Sequence, residues 1–415
     1  MECTLLKPGF NTRSHLFTFI CSVFFFNSSN IPLFDNMKLA TSLIGAFVAL
    51  AQVVTSEAVV GKADGFAYGV VGGGNASPDY PADIEELKSM LTDATPRVIV
   101  LKKTYDFTQS EGTIVGNVCL SWGDGHSCQQ IIQDDCGDTP SMTAKWWKAP
   151  TQPIDVASHK TILGVGNKGV IKGKGLRFRG GASNIIVQNI QVSDLNNKYV
   201  WGGDAIGFDG ADLIWIDHVT THNPGRQHYV FGFNPSTRVT LSNNYINGNS
   251  TYSTSCDNYH YWNFEMVGTD DQITMKNNYM YRTAGRAPAL SGGTLLHAVN
   301  NVWSDNGGHL LEGGDSKARG IFEGNVFTDI NSMVADYAGR LFGTPAGSES
   351  KCKSALGRSC QTNSYKQSSG SLDSYTDTSF FGDFSGLHIA SAGSAAQAAS
   401  SVPQNAGAGI INVGA

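Results

Sequence analysis

Short apolar segments recur along the middle of the chain, and each is followed by polar residues. The segments have the pattern of a short β-strand, then usually one or two asparagines, then another apolar residue. They read IIVQNIQV (185–192), LIWIDHVTT (213–221), VTLSNNYI (239–246), ITMKNNYM (273–280), LLHAVNNVW (295–303) and GIFEGNVF (320–327). Their similarity predicts strands of a repeating unit.

The spacing of these segments indicates a solenoid. The apolar residue after the polar pair recurs at steps of 29, 26, 34, 23 and 24 residues, at Ile190, Val219, Tyr245, Tyr279, Val302 and Val326. Irregular steps above 20 residues suit coils of a parallel β-helix with variable loops, in which asparagines stack at the corners. A β-sandwich is the competing fold, but it favours two-residue hairpins, and these segments contain no convincing Asn-Gly hairpin. We therefore predict an all-β fold, a parallel β-helix with loop excursions.

One amphipathic helix is expected near the start of this region, over residues 82–93. Ile84, Leu87 and Leu91 share one face of that helix. A strand is expected to follow at residues 98–101, which are all apolar and mostly β-branched.

The stretch Gly164–Gly169 (GVGNKG) matches the glycine pattern of a dinucleotide-binding turn. That fingerprint requires a strand before it and a helix after it. The next residues, VIKGKGLRFRGG, carry four glycines and no helical period. We interpret the glycines as tight corners between short strands, where positive φ or close backbone approach is needed.

Composition agrees with a β-rich protein that has many turns. Charged residues make up 15% of the 415-residue chain, and it contains 48 glycines. The formal net charge of −6 argues against a broad nucleic-acid or anionic-membrane surface. We expect no nucleic-acid partner, no membrane association, no cofactor and a monomer, so any anionic substrate must meet a local basic site.

The N-terminal segments indicate secretion. Residues 37–58 have one lysine, a short apolar run and small residues, the pattern of a signal peptide. Residues 1–36 are interpreted as an over-extended leader, with a genuine long leader as the alternative. The expected organisation is a β-helix domain at 59–385 and a loosely packed Ala/Ser/Gly-rich tail at 386–415. Asn75 and Asn249 lie in glycosylation sequons, which fits an extracellular location.

The cysteine count also suits a secreted protein. Outside the leader an even number remains, without a C-x-x-C pair, at Cys119, Cys128, Cys136, Cys256, Cys352 and Cys360. Disulfides are favoured over a zinc site, although six cysteines allow 15 connectivities.

Several motifs together carry a family resemblance. They are GGDAI with Asp204, WIDH (215–218), GRQH with Arg226, HYW (260–262), GRAP with Arg286, and LLHAVNN (295–301). With them the chain resembles the fungal pectin lyases of the pectate lyase superfamily, from residue 66 to residue 327. The resemblance implies a right-handed parallel β-helix with a substrate cleft formed by loops. It also implies an extracellular enzyme that cleaves methyl-esterified polygalacturonan by β-elimination.

The chemistry of elimination gives the two arginines candidate roles. Removing the C5 proton leaves enolate-like charge on the C6 carbonyl, which positive groups stabilise. Arg226 and Arg286 suit that role, and by resemblance Arg286 is the candidate base. A guanidinium, with a pKa above about 12, is normally never deprotonated, so a base role needs burial and a neighbouring cation such as Arg226. The alternative is that Arg286 only stabilises the enolate and another group takes the proton.

Asp204 is the third candidate catalytic residue, expected to orient an arginine or to contact substrate. By resemblance, its counterpart in pectate lyases binds calcium, which takes six to eight oxygen ligands. The loop HNPGRQH (222–228) has no carboxylate and carries Arg226, which favours an enzyme without a metal. One departure is Ala289, because some pectin lyases have a lysine at that position.

Aromatic residues near these motifs are candidates for stacking on sugar rings. The set consists of Trp122, Trp146, Trp147, Trp201, Tyr261 and Trp262. Trp215 and Trp303 lie inside apolar strands and are expected in the core. Asp217 and His218 are interpreted as structural, and because adjacent strand residues face opposite sides, a direct pair between them is not expected.

The resemblance also implies the disulfide pairs Cys119–Cys136, Cys128–Cys256 and Cys352–Cys360. Three rival functions stay open from the residues alone: a calcium-dependent pectate lyase, a hydrolase on the same fold, and a non-catalytic polysaccharide-binding β-helix. The hydrolase needs clustered carboxylates, and we identify none beyond Asp204 and Asp209.

Overall fold

The computed structural model describes residues 58–413, which are mostly β-structure. The predicted leader at 1–36 and nearly all of the predicted signal peptide at 37–58 lie outside the described residues. Within 58–413 the strands are β1 (Pro78–Asp79), β2 (Arg97–Leu101), β3 (Thr104–Asp106), β4 (Thr113–Cys119), β5 (Gln130–Ile132), β6 (Ser141–Trp147), β7 (Ile154–Asp155), β8 (Lys160–Gly164), β9 (Val170–Lys172), β10 (Leu176–Arg179), β11 (Ser183–Gln188), β12 (Gln191–Leu195), β13 (Tyr199–Val200), β14 (Ile206–Asp209), β15 (Asp212–Asp217), β16 (Thr220–Pro224), β17 (Tyr229–Phe231), β18 (Thr237–Ser242), β19 (Tyr245–Asn247), β20 (Phe264–Met266), β21 (Gln272–Lys276), β22 (Tyr279–Tyr281), β23 (Ala289–Leu290), β24 (Leu295–Val299), β25 (Val302–Gly313), β26 (Arg319–Glu323), β27 (Val326–Val334), β28 (Arg340–Phe342) and β29 (Ser364–Lys366). The α-helices of this part of the chain are α1 (Ile84–Thr92), α2 (Lys353–Leu356) and α3 (Ala395–Asn405).

Successive coils stack strand on strand in parallel, and the strands make three faces. The first face has the order β1-β2-β8-β11-β15-β18-β21-β24-β26-β28. The second face contains β3, β9, β12, β16, β19 and β22, and the third contains β7, β10, β14, β17, β20 and β23. The long strand β25 joins these two faces because its start pairs with β22 and its end with β23. The predicted parallel β-helix is confirmed.

Aliphatic residues form the interior of the coil stack. On the first face, each inward residue pairs with the inward residue of the neighbouring strand. These pairs form the column Ile185, Ile214, Val239, Ile273 and Leu296. All five are fully buried, and each burial contributes about 1.5–3 kcal/mol. The core residues Trp215 and Trp303 are also buried, as expected.

A ladder of asparagines closes one corner of the coils, as predicted. Nδ2 of Asn244 donates to Oδ1 of Asn278 at 2.9 Å, and Asn278 donates to Asn301 at 2.8 Å. The ladder continues from Asn301 to Asn325 at 3.1 Å. Each of these side chains also donates to a backbone carbonyl of the previous coil, so these buried amides are well satisfied.

The residue before the ladder adopts a left-handed conformation, and this overturns one expectation. His218 occupies that corner with φ +50°, where later coils have asparagine or glycine. Because the chain bends there, Nδ1 of His218 lies 2.7 Å from Oδ2 of Asp217. The prediction that these neighbours would not meet was wrong, because strand alternation ends at Asp217. The carboxylate also accepts from Ser242 and Asn243, which fits the structural interpretation.

The glycine-rich stretch forms a corner between strands, as predicted. β8 precedes the turn and β9 follows it. Gly166 has φ +53°, and a Cβ on Gly164 would lie 2.0 Å from the carbonyl oxygen of Asn189. Both positions therefore require glycine for a structural reason.

Both ends of the β-helix domain carry a helix. α1 lies within the predicted segment, its N-cap Asp83 accepts from two backbone N–H groups, and Leu87 and Leu91 are buried. The tail differs from expectation, because α3 packs against β25 and β27 and buries Val402. A capping box at Ser394 stabilises this helix. The tail is thus docked, and its alanines are the residues that allow close packing.

A small excursion leaves the coils between β3 and β7, and in it β4 pairs antiparallel with β5 and with β6. β13, which follows β12, adds to β5 in parallel and gives the sheet order β13-β5-β4-β6. Trp146 packs in the interior of this sheet against Gly116 and is only 7% exposed. No helix in residues 58–413 is long and apolar enough to cross a membrane.

Candidate active site

The candidate catalytic residues lie in loops that enter the third face. Asp204 precedes β14, Arg226 precedes β17 and Arg286 precedes β23. Because these strands stack on one face, the three loops open on the same side of the coil stack. We call the site formed by these loops the arginine cleft.

Asp204 and Arg226 form a bidentate pair. Nε of Arg226 donates to Oδ1 at 3.0 Å, and Nη2 donates to Oδ2 at 2.7 Å. The backbone N–H of Gln227 also donates to Oδ1, at 2.8 Å. The guanidinium lies 4.0 Å from the ring centre of Trp201. Both oxygens of the carboxylate are therefore used to orient the arginine.

Arg286 is held by two glutamates. Nη1 donates to Oε2 of Glu265, and Nε lies 3.4 Å from Oε1 of Glu312. Its guanidinium lies 4.7 Å from the ring centre of Trp262, which adds a cation–π contact. Arg286 also has φ +45°, an uncommon conformation for a large residue.

The register of the third face explains how the two glutamates meet one arginine. Glu265 pairs with Ala289, and Ala289 pairs with Glu312. The carboxylates therefore lie two coils apart in one outward column, about 9.5 Å along the stack. The short side chain of Ala289 leaves the space between them for the guanidinium, and the lysine found here in some pectin lyases is absent.

A second set of hydrogen bonds fixes the carboxylate of Glu312. The hydroxyl of Tyr261 donates to Oε2 of Glu312 at 2.9 Å, and Nε2 of His309 contacts the same oxygen. Burial alone would raise the pKa of Glu312, but the hydrogen bonds from His309 and Tyr261 lower it below its usual value. Burial and the neighbouring Glu312 raise the pKa of Tyr261 to about 12. Glu312 is thus an anion and Tyr261 a neutral donor at neutral pH.

A buried histidine supports the loop of Arg226 from below. Nε2 of His260 donates to the carbonyl oxygen of Arg226 at 2.7 Å. Burial lowers the pKa of His260 to about 4, so the ring is neutral at neutral pH. It therefore positions the backbone of the cleft and adds no charge to it.

The predicted aromatic set divides between two places. Trp201, Tyr261 and Trp262 lie against the arginines, and Trp122 contacts the edge of Trp262 with ring centres 6.3 Å apart. Trp201 is 55% exposed, so its ring is open to a ligand. Trp146 instead contacts the ring of Tyr199, and the backbone of Trp147 bonds to the side chain of Asn196. The burial of Trp146 makes it a core residue of the excursion sheet, not a sugar platform.

Two disulfides secure the excursion, and one of them bears on the cleft. Cys128–Cys256 joins the excursion to the loop before β20, and Cys119–Cys136 closes the excursion itself. Cys352–Cys360 lies beyond the cleft, near the C-terminal coils. The three predicted pairs are confirmed. The sequon residues Asn75 and Asn249 are both exposed, and their glycosylation stays a prediction.

Sequence reasoning missed four polar residues of this site. They are Gln227, Glu265, His309 and Glu312, which all bond to the predicted residues or to each other. Glu265 lies three residues after the motif HYW (260–262), so the segment that holds it was identified. The direction of the Glu265 side chain could not be predicted, because the outward column to which it belongs forms only when β20, β23 and β25 pair in register.

The donor set does not fit a calcium ion. Calcium needs several free carboxylate oxygens, but those of Asp204 are engaged by Arg226, and Glu265 and Glu312 are engaged by Arg286. Within residues 58–413, no group of three or more His, Cys, Asp and Glu side chains is arranged to hold a metal. The cations that neutralise this site are the two guanidinium groups.

Comparison with known sequences gives a consistent family. The sequence model of the family described as Pectate lyase matches residues 37–411. The chain is 65% identical over 376 residues to "Probable pectin lyase A" of Aspergillus flavus, covering 90% of this chain and 100% of the relative. It is also 54% identical over 367 residues to "Probable pectin lyase C" of Emericella nidulans, covering 87% and 98%.

Solved structures share the fold at low identity. A pectate lyase from Bacillus sp. N165 in complex with trigalacturonate has a TM-score of 0.54 and 20% identity, covering 84% of this chain and 100% of that one. A pectate lyase from Acidovorax avenae subsp. citrulli has a TM-score of 0.56 and 15% identity, covering 89% and 100%. These matches show the parallel β-helix alone.

Proposed function

This chain belongs to the pectate lyase family, and on that premise we propose that it is a pectin lyase. The proposed reaction is endo-cleavage of methyl-esterified 1,4-α-D-galacturonan by β-elimination, in polysaccharide catabolism. The observation that carries it is the arginine cleft, in which two guanidinium groups lie among aromatic rings and each is already paired with carboxylate. The high identity to relatives named pectin lyases supports the same substrate class.

The charge balance of the cleft supports a neutral substrate. Its two guanidinium groups face the three carboxylates of Asp204, Glu265 and Glu312. A galacturonate carboxylate would add a fourth negative charge to this partly desolvated site, whereas a methyl ester adds none. The aromatic rings then contribute contact area for the C–H faces of the sugars.

The elimination needs a proton acceptor, a group that stabilises charge and a protonated leaving oxygen. The C5–H bond breaks, a C4=C5 double bond forms and the C4–O4 bond breaks as O4 takes a proton from solvent water. Arg226 and Arg286 stabilise the charge that develops on the C6 carbonyl oxygen. Arg286 is proposed to stand at the C5 proton, and Asp204 holds Arg226 in place.

Glu265 gives a guanidinium base a concerted path in which no neutral guanidine forms. Arg286 already donates through Nη1 to Oε2 of Glu265. A proton lost from Nη1 therefore has a carboxylate acceptor in contact, and Arg286 takes up the C5 proton as it passes one on. Glu265 is in this scheme a positioning residue and proton acceptor that acts through Arg286.

The proton path predicts a specific defect for Glu265→Gln. We expect kcat on highly esterified pectin to fall about ten- to a hundredfold with little change in KM, and the acid limb of the pH–kcat profile to flatten. An unchanged kcat and an unchanged profile would remove Glu265 from the proton path.

The experiment that tests the function is ultraviolet-monitored digestion. Highly esterified pectin and polygalacturonate are each digested with and without EDTA. We expect unsaturated product from the esterified polymer, unaffected by EDTA. Activity confined to polygalacturonate with added calcium would make the chain a pectate lyase. Reducing ends without ultraviolet absorbance would identify a hydrolase, and polymer binding without products a binding protein.

The remaining proposals concern the whole protein. We propose secretion, because residues 37–58 have the signal-peptide pattern and the domain carries three disulfides. We also propose that the protein is a monomer and needs no partner protein to act on the polysaccharide. Recovery of the protein from culture medium and its mass in solution test these two points.

A further inference from the structure

A groove next to the arginine cleft has an unusual concentration of lysines. Its volume is about 590 Å³ and it lies outside the second face, between that face and the end of β6. Its charged lining consists of Lys145, Lys172, Lys198 and Asp194. In a protein with a net charge of −6, three lysines on one groove make a local positive site. We call it the lysine groove.

The lysines are weakly paired. The only ion pair among them in the described part of the chain joins Lys172 to Asp106, with Nζ 3.6 Å from the carboxylate. Lys198 instead lies 5.9 Å from the ring centre of Tyr199 and 5.8 Å from that of Tyr252. This contrasts with the arginine cleft, where each guanidinium already has a carboxylate partner.

The acidic residue of the groove is already engaged by neutral donors. Asp194 accepts from the hydroxyl of Ser193 at 3.2 Å and from Nδ2 of Asn223 at 3.1 Å. It therefore neutralises none of the three lysines directly. Within residues 58–413 no carboxylate pairs with Lys145 or Lys198, so their ammonium groups remain available to an anion.

Aromatic rings complete the groove. Trp147, Tyr199 and Tyr252 line it, and none of the three is fully buried. Trp147, like Trp146, was predicted to bind sugar and does not lie in the arginine cleft. Its backbone is fixed to the groove wall, because its N–H and C=O both bond to the side chain of Asn196. Lysine with aromatic side chains is a combination that suits an anionic sugar.

We propose that the lysine groove is a second, non-catalytic polysaccharide site that binds free galacturonate, the de-esterified part of the same polymer. This assignment of the ligand rests on the proposed function. The segment 196–201 links the two sites, because Asn196 to Tyr199 line the groove and Trp201 lies in the cleft. A partly esterified chain then places acid units in the groove and ester units at the arginines.

The test compares binding of two ligands by calorimetry. An unesterified oligogalacturonate and its fully methyl-esterified counterpart are titrated into the wild-type protein and into the double variant Lys145→Ala/Lys198→Ala. We expect the unesterified ligand to bind about five- to tenfold more weakly to the double variant and the esterified ligand to bind equally to both. The wild-type affinity for the unesterified ligand should also fall as salt is added.

The matched control is Lys366→Ala, an exposed lysine at the far end of the same face. It should bind both ligands as the wild type does. Because Lys145 and Lys198 have no carboxylate partner in residues 58–413, their loss should leave the unfolding temperature unchanged. The rate on fully esterified pectin should also stay unchanged, whereas KM on blockwise de-esterified pectin should rise.

Three outcomes would overturn the inference. The first is equal binding of unesterified ligand by wild type and double variant, or no binding at all. The second is an equal loss for both ligands, which would make the groove part of the catalytic subsites. The third is wild-type binding of dextran sulfate as tight as that of oligogalacturonate, which would leave only a general polyanion surface. Failure of the proposed function is seen separately, as the absence of unsaturated product from esterified pectin.

Discussion

Two networks in this molecule combine the same three residue types, arginine, glutamate and histidine, with opposite consequences. The cleft network consists of Arg286, Glu312 and His309, and the buried network of Arg358, Glu323 and His297. In the cleft network the glutamate and histidine side chains are 17% and 25% exposed, whereas in the buried network both are 0% exposed. The arginines are similarly exposed, at 25% for Arg286 and 29% for Arg358, so the networks differ in the solvent access of the glutamate and the histidine.

Solvent access decides what each network does. In the buried network, Glu323 receives Arg358 through two nitrogens at 2.7 and 2.9 Å and His297 at 2.8 Å, so its charge is fully compensated. Removing one partner leaves an uncompensated buried charge, which costs about 3–5 kcal/mol. In the cleft network, water and substrate can replace a lost partner. The buried network is therefore expected to stabilise the fold, and the cleft network to serve the reaction.

The largest effect is expected from Arg286→Lys in the cleft network. A lysine cannot contact two glutamates with a planar fork, so the charge at the reacting carbonyl is displaced. We expect kcat/KM on highly esterified pectin to fall by at least about 10²–10³ with the thermal midpoint unchanged. Full activity in this variant would remove Arg286 from the mechanism.

The counterpart in the buried network is Glu323→Gln, which should affect the fold and not the chemistry. Gln removes the charged acceptor that His297 and Arg358 share, so we expect a loss of about 3 kcal/mol in the free energy of unfolding, read from urea denaturation. The folded fraction should keep wild-type kcat. A loss below about 0.5 kcal/mol would show that the buried network does not hold the fold.

The same residue predicts a pH dependence of stability. Burial raises the pKa of Glu323, but the bonds from His297 and Arg358 outweigh it and lower the pKa to about 2 from 4.5. Because the folded-state pKa is depressed, the stability is present above about pH 4.5 and is lost as the pH falls toward 2. The size is about 3 kcal/mol over this window. Wild type and Glu323→Gln should therefore converge in unfolding free energy near pH 2, and parallel curves would contradict this.

The smallest effect is expected from Glu312→Gln in the cleft network. The amide keeps a bond with Tyr261 but no longer pairs with the charge of Arg286. We expect about a tenfold loss in kcat/KM and less than about 1 kcal/mol in stability, because the pair is partly exposed. A stability loss as large as that of Glu323→Gln would erase the difference between the two networks.

The coils were predictable from the sequence because one pattern repeats in every coil. The apolar columns and the asparagines that follow them, such as Asn278 and Asn301, recur at similar places in segment after segment. The two arginines of the cleft were identified through motifs, since GRQH and GRAP are local. These features depend on neighbouring residues alone.

The features that were not predictable depend on distant residues. Glu265 and Glu312 are 47 positions apart in sequence, and only the register across Ala289 brings both to Arg286. The contact of His218 with Asp217 was not expected because the left-handed backbone of His218 is set by the corner of the coil. Docking of the tail depends on the outer surface of β25 and β27, which the tail's own composition does not show.

The asparagine ladder sets the distance between successive coils, whatever number of residues each coil contains. The coil that leads to Asn278 follows its predecessor after 34 residues, and the coil that leads to Asn301 after only 23. Both coils nevertheless rise by the same distance along the axis, because each side-chain amide must reach the amide of the neighbouring coil. Extra residues therefore lie in loops beside the coils, where they extend the walls of the cleft without changing the rise per coil. Such a scaffold can change the substrate it accepts while keeping its spacing constant.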